Sequence, residues 1–435
     1  MKKPGWMRAA AIGTAVAITA GVVPLAVFAQ DDQVDLTIWS HWVEPDKKEW
    51  IEGVIDEYTA ENPNVSINIE WYGDKADLYT QLNAANQAGG ENAPDIHTVD
   101  FRPLGYIPQQ LNGWLLDLDS GLDTSHWDAG LLGAGSYDDG IWGLPIEAFG
   151  IWVWYDKNRF DEWGITIPDD GRIDQATFDA IVAKAQENGM TVFGQGVQNL
   201  NNFAAHYPIG ITLNMAGKDV VRDAVITADL PYNDPAMVDA LQVAVDQIHT
   251  DGFFNVDVPT LTLNEGAGLF FNGKSAMTVE GSWLPGWYKG QVDDGAAPAD
   301  LDLRIARFPT FDGAVDDGVV QWGAGSGWAA SAFTEYPDVV IDLFNFMSTP
   351  ERAFRWIEMT DVPTGMITDI PDTASELVRM QLAWQKDGPS ISPAIYQVPA
   401  LDEEVAWNEG MVRFFADPNY NAQEFLDGMQ RLREE

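Results

Sequence analysis

The chain contains no cysteine in its 435 residues. Disulfides, thiolate metal ligands and a lipidated cysteine tether are therefore all excluded. Basic residues are also scarce: 24 Lys and Arg stand against 67 Asp and Glu, for a formal net charge of -43. A field of that sign repels nucleic acid and anionic lipid head groups, so neither is expected as a partner. The carboxylates are spread along the whole chain, which reads as a solvated acidic surface. A high-salt habitat, where screening quenches self-repulsion, is one hypothesis for it. The five histidines, His41, His97, His126, His206 and His249, show no metal-ligand spacing, and HExxH, Walker A and GxSxG motifs are absent. No metal and no cofactor is expected.

What is present begins with an address. Lys2, Lys3 and Arg8 precede a largely apolar run from Ala9 to Phe28, and Val27-Phe28-Ala29 suits a signal peptidase, so residues 1–29 read as an export signal. An uncleaved membrane anchor is the alternative for the same run. No later apolar run is long enough to span a membrane, and the remaining length suffices for two or three domains. The expectation is a free, soluble, exported protein, periplasmic or extracellular.

Alternation of Val34, Leu36 and Ile38 predicts a strand that opens onto Trp39-Ser40-His41-Trp42. Trp50, Ile51, Val54, Ile55 and Tyr58 mark one face of a helix that Asn62-Pro63 ends, and Val65, Ile67, Ile69 and Trp71 alternate again. A helix over 76–88, broken by Gly89-Gly90, leads to a strand at Pro94–Asp100. This strand, helix, strand order is that of a mixed or parallel α/β sheet. Helices are predicted near 175–188 and 235–250, neither with obvious chemistry. Gly323, Gly325 and Gly327 do not complete a dinucleotide fingerprint, because position 328 is Trp.

Asn264 to Gly290 organises the rest: a helix-like run through Phe271, a turn at Asn272-Gly273-Lys274, a buried strand from Ser275 to Val279, then Glu280-Gly281-Ser282-Trp283. Alone, Trp283 reads either as packing or as a platform for a ligand. The segment GKSAM followed by EGSW resembles the signature of the family 1 extracellular solute-binding proteins, which feed sugars to ABC importers. LTIWSHW, NAPDI, GLPIEAFGIWVWYDK and SGWAAS resemble further segments of that family, in order and over nearly the whole chain after the signal.

The resemblance implies an α/β, periplasmic-binding-protein-like fold: two discontinuous lobes joined by a hinge, with a ligand cleft between them. Its crossings fall near Glu147, near Ser326 and around Met380, which gives 30–147 plus 326–380 for one lobe and 148–325 plus 381–435 for the other. It implies no catalysis, a sugar as ligand, ABC permease subunits as partners and a monomer. The candidate ligand-binding residues are Trp39, Trp42, Asp100, Arg102, Glu147, Glu280, Gly281, Trp283, Trp322 and Gly325. Trp39 and Trp42 can equally cap a sheet edge. In the family the region from Gly194 to Ala216, with Asn199, Asn201, Asn202, Phe203, His206 and Tyr207, supplies ligand contacts. A loop at Asp361–Gly365 lies where family members often place one near the cleft, with a Pro followed by small or basic residues; here Thr364 and Gly365 follow Pro363, so no basic contact is expected from it. In the maltose-binding members the tryptophan equivalent to Trp283 stacks on a sugar ring. Two rival functions fit the same residue types: capture of a cationic solute such as a polyamine by carboxylates and aromatic walls, and glycoside hydrolysis by a pair drawn from Asp100, Glu147 and Glu280.

Overall fold

The computed structural model describes residues 33–73, 75–101, 112–137, 140–198, 201–391 and 401–435; the expected export signal, Arg102 and Asn199 lie outside the described residues. In chain order the strands that build the two larger sheets are β1 (Val34–Ser40), β2 (Val65–Trp71), β3 (Ile96–Asp100), β4 (Ala148–Asp156), β5 (Thr191–Phe193), β6 (Ser275–Gly281), β7 (Leu303–Ala306), β8 (Val320–Ala324), β9 (Ser326–Ala330) and β10 (Ser390–Ile391). Among the helices between and after them are α1 (Pro45–Glu61), α2 (Lys75–Gln87), α3 (His206–Ala216), α4 (Leu263–Phe271), α5 (Leu284–Asp293), α6 (Glu376–Asp387) and α7 (Leu401–Ala416).

The first half follows its periodicities. Helix α1 buries Trp50, Ile51, Val54, Ile55 and Tyr58, the face the spacing predicts. Pro45 sits in its first turn, where a missing N–H leaves no intrahelical bond unmade. Strands β1, β2 and β3 run parallel, in register from Val34 opposite Val65 to Ser40 opposite Trp71, so their C-terminal ends share one sheet edge. β9 runs antiparallel to β3 with Ser326 opposite Asp100, and so begins at the edge where the others end.

The second sheet has the order β10-β8-β4-β6-β5, with β7 also paired to β4. Its centre, β4, is buried at all nine positions, and its sequence AFGIWVWYD is apolar almost throughout, as a strand covered on both faces must be. β6 extends two residues beyond the predicted Val279, because Glu280 and Gly281 continue its ladder to Trp152 and Ile151. Thus Glu280 belongs to the strand and not to a loop.

Each sheet carries its own apolar core, and the lobes so formed are discontinuous. One core gathers Trp42, Trp50, Trp328 and Trp356; another gathers Phe193, Tyr207, Phe253 and Trp407. A third is shared between the sheets: Val99 and Phe101 pack there with Trp152, Trp154 and Trp322. Helix α6 straddles the divide, placing Val378 in the first core and Trp384 in the shared one. The chain passes from one sheet to the other at Gly325, with β8 ending at Ala324 and β9 beginning at Ser326.

Candidate functional site

Because β1 and β3 end, and β9 begins, on one edge, their terminal residues converge. Asp100, the last residue of β3, takes both carboxylate oxygens to Lys75 Nζ, at 2.8 and 3.0 Å. Ser326 Oγ donates to Asp100 Oδ1 at 2.7 Å, and the Asp100 backbone N–H donates to the Tyr79 hydroxyl at 2.8 Å. Beside them His41 Nδ1 lies 2.7 Å from Thr98 Oγ1. Burial, and then the Lys75 charge, push the His41 imidazole well below its usual range, so it is neutral at physiological pH.

The crossovers themselves form the floor. Glu147 N–H donates to Ser326 O at 3.0 Å, and Gly325 N–H donates to Glu147 O at 2.8 Å. Glu147 Oε2 accepts from Ser326 N–H at 3.2 Å, while Oε1 pairs with Lys47 Nζ at 2.6 Å. A Cβ at Gly325 would lie 2.9 Å from that of Glu147, so the close approach of the two crossing segments needs glycine there. Burial alone would lower the Lys47 ammonium, but Glu147 and Glu44 outweigh it and hold it raised. The Asp361–Gly365 loop joins the same floor: Thr364 Oγ1 donates to Ile146 O at 2.6 Å, and Ala148 N–H donates to Pro363 O at 2.9 Å.

The facing wall is aromatic. The Trp283 indole lies with ring centroids 5.4 Å from both Phe149 and Phe203, 6.1 Å from Trp287 and 6.4 Å from His206. It is partly exposed and lies over Gly281, where a Cβ would stand 2.2 Å from the ring. Trp283 Nε1 donates to Glu280 Oε2 at 3.3 Å, and Trp154 Nε1 donates to Glu280 O at 2.8 Å. Burial pushes the Glu280 carboxyl up to about 8, against a small opposing effect of the indole N–H, so it is largely the neutral acid at pH 7. Burial likewise drives His206 down to about 3.

Several expectations are corrected by these placements. Trp42 is 1% exposed, edge-on to Trp328 at 5.3 Å and tilted against Trp356 at 5.4 Å, so it is a core residue and presents no face to a ligand. Trp322 is 4% exposed within the shared core, where β8 is covered on both faces. Glu280 is fully buried behind Trp283 and does not offer its carboxyl directly to a ligand in this conformation. Trp39, 8% exposed, packs on Tyr72, Leu78 and Leu82 at the edge of β1. Asp100, Glu147, Gly325, Gly281 and Trp283 gather at the strand ends and crossovers. The sequence reading did not single out His41, Lys47, Lys75, Tyr79 and Ser326, which the structure brings to the same strand ends and crossovers. In so acidic a chain the scarcity of lysine was the available signal for Lys47 and Lys75.

A shallow groove of about 750 Å³ opens elsewhere, between α4 and α5, lined by Glu265, Lys274, Trp287 and Asp294 among others. Its charged residues are solvated surface groups. The candidate site is the one at the strand ends, where ion pairs, crossovers and the partly exposed Trp283 converge, as ligand sites of open α/β sheets do. Among the described residues no cluster has metal-ligand character, and no helix is long and apolar enough to cross a membrane.

Comparison with known proteins bears on the family and the fold. The family model described as bacterial extracellular solute-binding protein matches residues 42–353. The chain is 23% identical over 326 residues to the maltodextrin-binding protein MdxE of Bacillus subtilis, covering 74% of this chain and 72% of that one. Among solved structures it is similar to a protein from a study of xylan utilisation by Caldanaerobius polysaccharolyticus, with a TM-score of 0.75, 22% identity and coverage of 92% of this chain and 99% of that one. A chitin oligosaccharide binding protein matches with a TM-score of 0.72 and 19% identity, over 92% and 98% of the two chains. At such identities the structures show the shared two-lobed fold; the family match extends over most of the chain and is to binding proteins, not enzymes. The chain belongs to the bacterial extracellular solute-binding proteins.

Proposed function

We propose that this protein is the extracytoplasmic receptor of an ABC importer, which captures a neutral sugar or oligosaccharide between its lobes and delivers it to the permease's transmembrane subunits. The observation that carries the reading is the electrical state of the three cleft-side carboxyls. Asp100 is occupied by Lys75 and Glu147 by Lys47, while Glu280 is held as the neutral acid by burial. A polyamine needs free carboxylates; a sugar needs hydrogen-bond donors and acceptors together with an apolar wall for its C–H face. The paired charges supply both donors and acceptors, and the partly exposed Trp283 ring, backed by the buried Phe149 and Phe203, supplies the wall. The same neutralisation argues against hydrolysis, since Asp100 and Glu147 are committed to lysines. The maltodextrin and chitin oligosaccharide relatives support a sugar as the ligand class.

On this reading the first lobe comprises 30–147 and 326–380 and the second 148–325 and 381–435. Residues 1–29 are removed on export, and the receptor acts as a soluble monomer. Closure of the lobes excludes water and strengthens each polar contact. A thermal-shift panel of maltotriose, xylotriose, chitotriose and raffinose beside spermidine and putrescine tests the proposal. A ligand at about a hundred times its dissociation constant stabilises by roughly 2.7 kcal/mol. Stabilisation by a sugar is expected; stabilisation by the polyamines alone would overturn the reading.

A further inference from the structure

Helix α6 buries Val378, Gln381 and Trp384, one turn apart on a single face, and the middle one is polar. An apolar side chain would suit such a face, since burying an amide costs free energy unless its atoms find hydrogen bonds. What Gln381 meets there is a pair of buried donors. Its Oε1 accepts from the Trp152 indole Nε1 at 3.1 Å and from the Ser282 hydroxyl. Trp384, one turn further on, meets the Trp152 ring edge-on with centroids 5.7 Å apart, so the same helix holds both the N–H and the ring of Trp152.

Ser282 stands between Gly281, the last residue of β6, and Trp283. Its Oγ also accepts from the Gly150 backbone N–H at 2.9 Å, so the turn that leaves β6 is tied to β4 on one side and to α6 on the other. The direction of Trp283 is set at that turn: the ring lies over Gly281, and the Trp283 carbonyl accepts from Gly286 and Trp287 N–H as α5 begins. Helix α6 also reaches the other lobe. Val378 lies in the first core, and the Ser375 N–H ahead of the helix donates to Asp361 Oδ1 at 2.9 Å. A turn tied to α6 is therefore fixed relative to the lobe across the cleft, and not only to its own sheet.

We propose that Gln381 is a positioning residue of the solute platform: its side-chain oxygen fixes the Ser282 turn and so aims the Trp283 ring at the cleft. It acts through Ser282 and needs no contact with the solute. Without that acceptor two buried donors lose their partner. Another acceptor, the Gly150 carbonyl, lies 3.4 Å from Ser282 Oγ, and a hydroxyl drawn towards it carries the turn and the indole with it. The inference rests on Trp283 being the platform, but its first test needs no ligand.

In uniformly ¹⁵N-labelled protein the Trp283 indole resonance, assigned with Trp283→Phe, should move in Gln381→Leu and stay near its wild-type position in Gln381→Glu, which keeps an oxygen acceptor at the same reach. For whichever of maltotriose, xylotriose, chitotriose and raffinose binds, calorimetric affinity should fall about tenfold in Gln381→Leu and less than about threefold in Gln381→Glu. Ser282→Ala severs the same hydrogen bond from its other end, so the double variant with Gln381→Leu should bind no more weakly than the weaker single one. Should Gln381→Leu not fold, Ser282→Ala decides on both readouts, the resonance and the affinity. A Trp283 resonance that stays put, or wild-type affinity with only a lowered melting temperature, overturns the proposal, and so do losses that multiply in the double variant. Absence of binding by every sugar instead contradicts the sugar-receptor reading and leaves the resonance test to decide on Gln381.

Discussion

Lys47 and Glu147 meet at 2.6 Å where the chain leaves its first lobe, with both side chains mostly out of water at 13% and 15% exposure. The pair ties the first turn of α1 to the crossing segment, and it occupies a floor carboxylate that a cationic solute would need. Removing one partner leaves a poorly hydrated charge, so Lys47→Met should destabilise by on the order of 3 kcal/mol in urea unfolding. Because the Lys47 ammonium is raised, its contribution is complete below the ordinary lysine range and fades only as pH rises through the higher folded value. The deficit of Lys47→Met should therefore be the same at pH 6 and pH 8. A deficit that vanishes at pH 8 would show that the pair has been misjudged.

Glu280 gives the opposite signature. Its carboxyl binds a proton up to about pH 8 in the folded protein, but only to about pH 4.5 when unfolded. Between these values the native state holds the extra proton, so wild-type stability falls as pH rises through the window and levels off above it. Glu280→Gln removes that slope. Relative to wild type it should gain on the order of 4 kcal/mol between pH 4.5 and pH 8, measured as the difference of two urea series, in which the general repulsion among other carboxylates cancels. Parallel series would mean the acid is not buried as described.

Salt separates the ligand classes. With Asp100 and Glu147 already paired to lysines, sugar affinity should change less than about twofold between roughly 50 and 500 mM NaCl, since no net charge is brought together. A steep fall would mean that a charged ligand is being bound.

Closure of the lobes should appear in solution scattering. The crossing segments at Glu147 and Gly325 are bonded to each other, and the Pro363–Thr364 loop is bonded to the first of them, so the lobes can turn about them without breaking either sheet. The radius of gyration should fall on saturation with a sugar whose binding calorimetry has confirmed. An unchanged radius would remove the hinge.

The alternating and helical runs of the first half were legible because each element there has one apolar face, and position followed from period: Trp50 through Tyr58 are buried as their spacing requires. β4 is apolar on both faces, so its register was invisible to period. Trp283, Gly281 and Asp100, which local wording marks, are candidates that the structure brings to strand ends. Trp42 and Trp322 misled because an indole in a motif looks alike whether it ends in a core or on a wall; burial is decided by Trp328, Trp356 and β8 neighbours far away in the chain. Lys47 and Lys75 escaped for the same reason, as each finds its carboxylate through folding and not through spacing.

On the proposed function, solute affinity depends most on the Trp283 ring serving as the platform. Covering roughly 50 to 100 Å² of apolar sugar face at about 25 cal/mol per Å² contributes on the order of 1 to 2.5 kcal/mol. Calorimetry of Trp283→Ala with the sugar that the panel identifies should therefore show affinity about fivefold to seventyfold weaker, with the melting temperature of the free protein nearly kept. Unchanged affinity, with a melting temperature that collapses as a core cavity of about 3 to 5 kcal/mol demands, would contradict it.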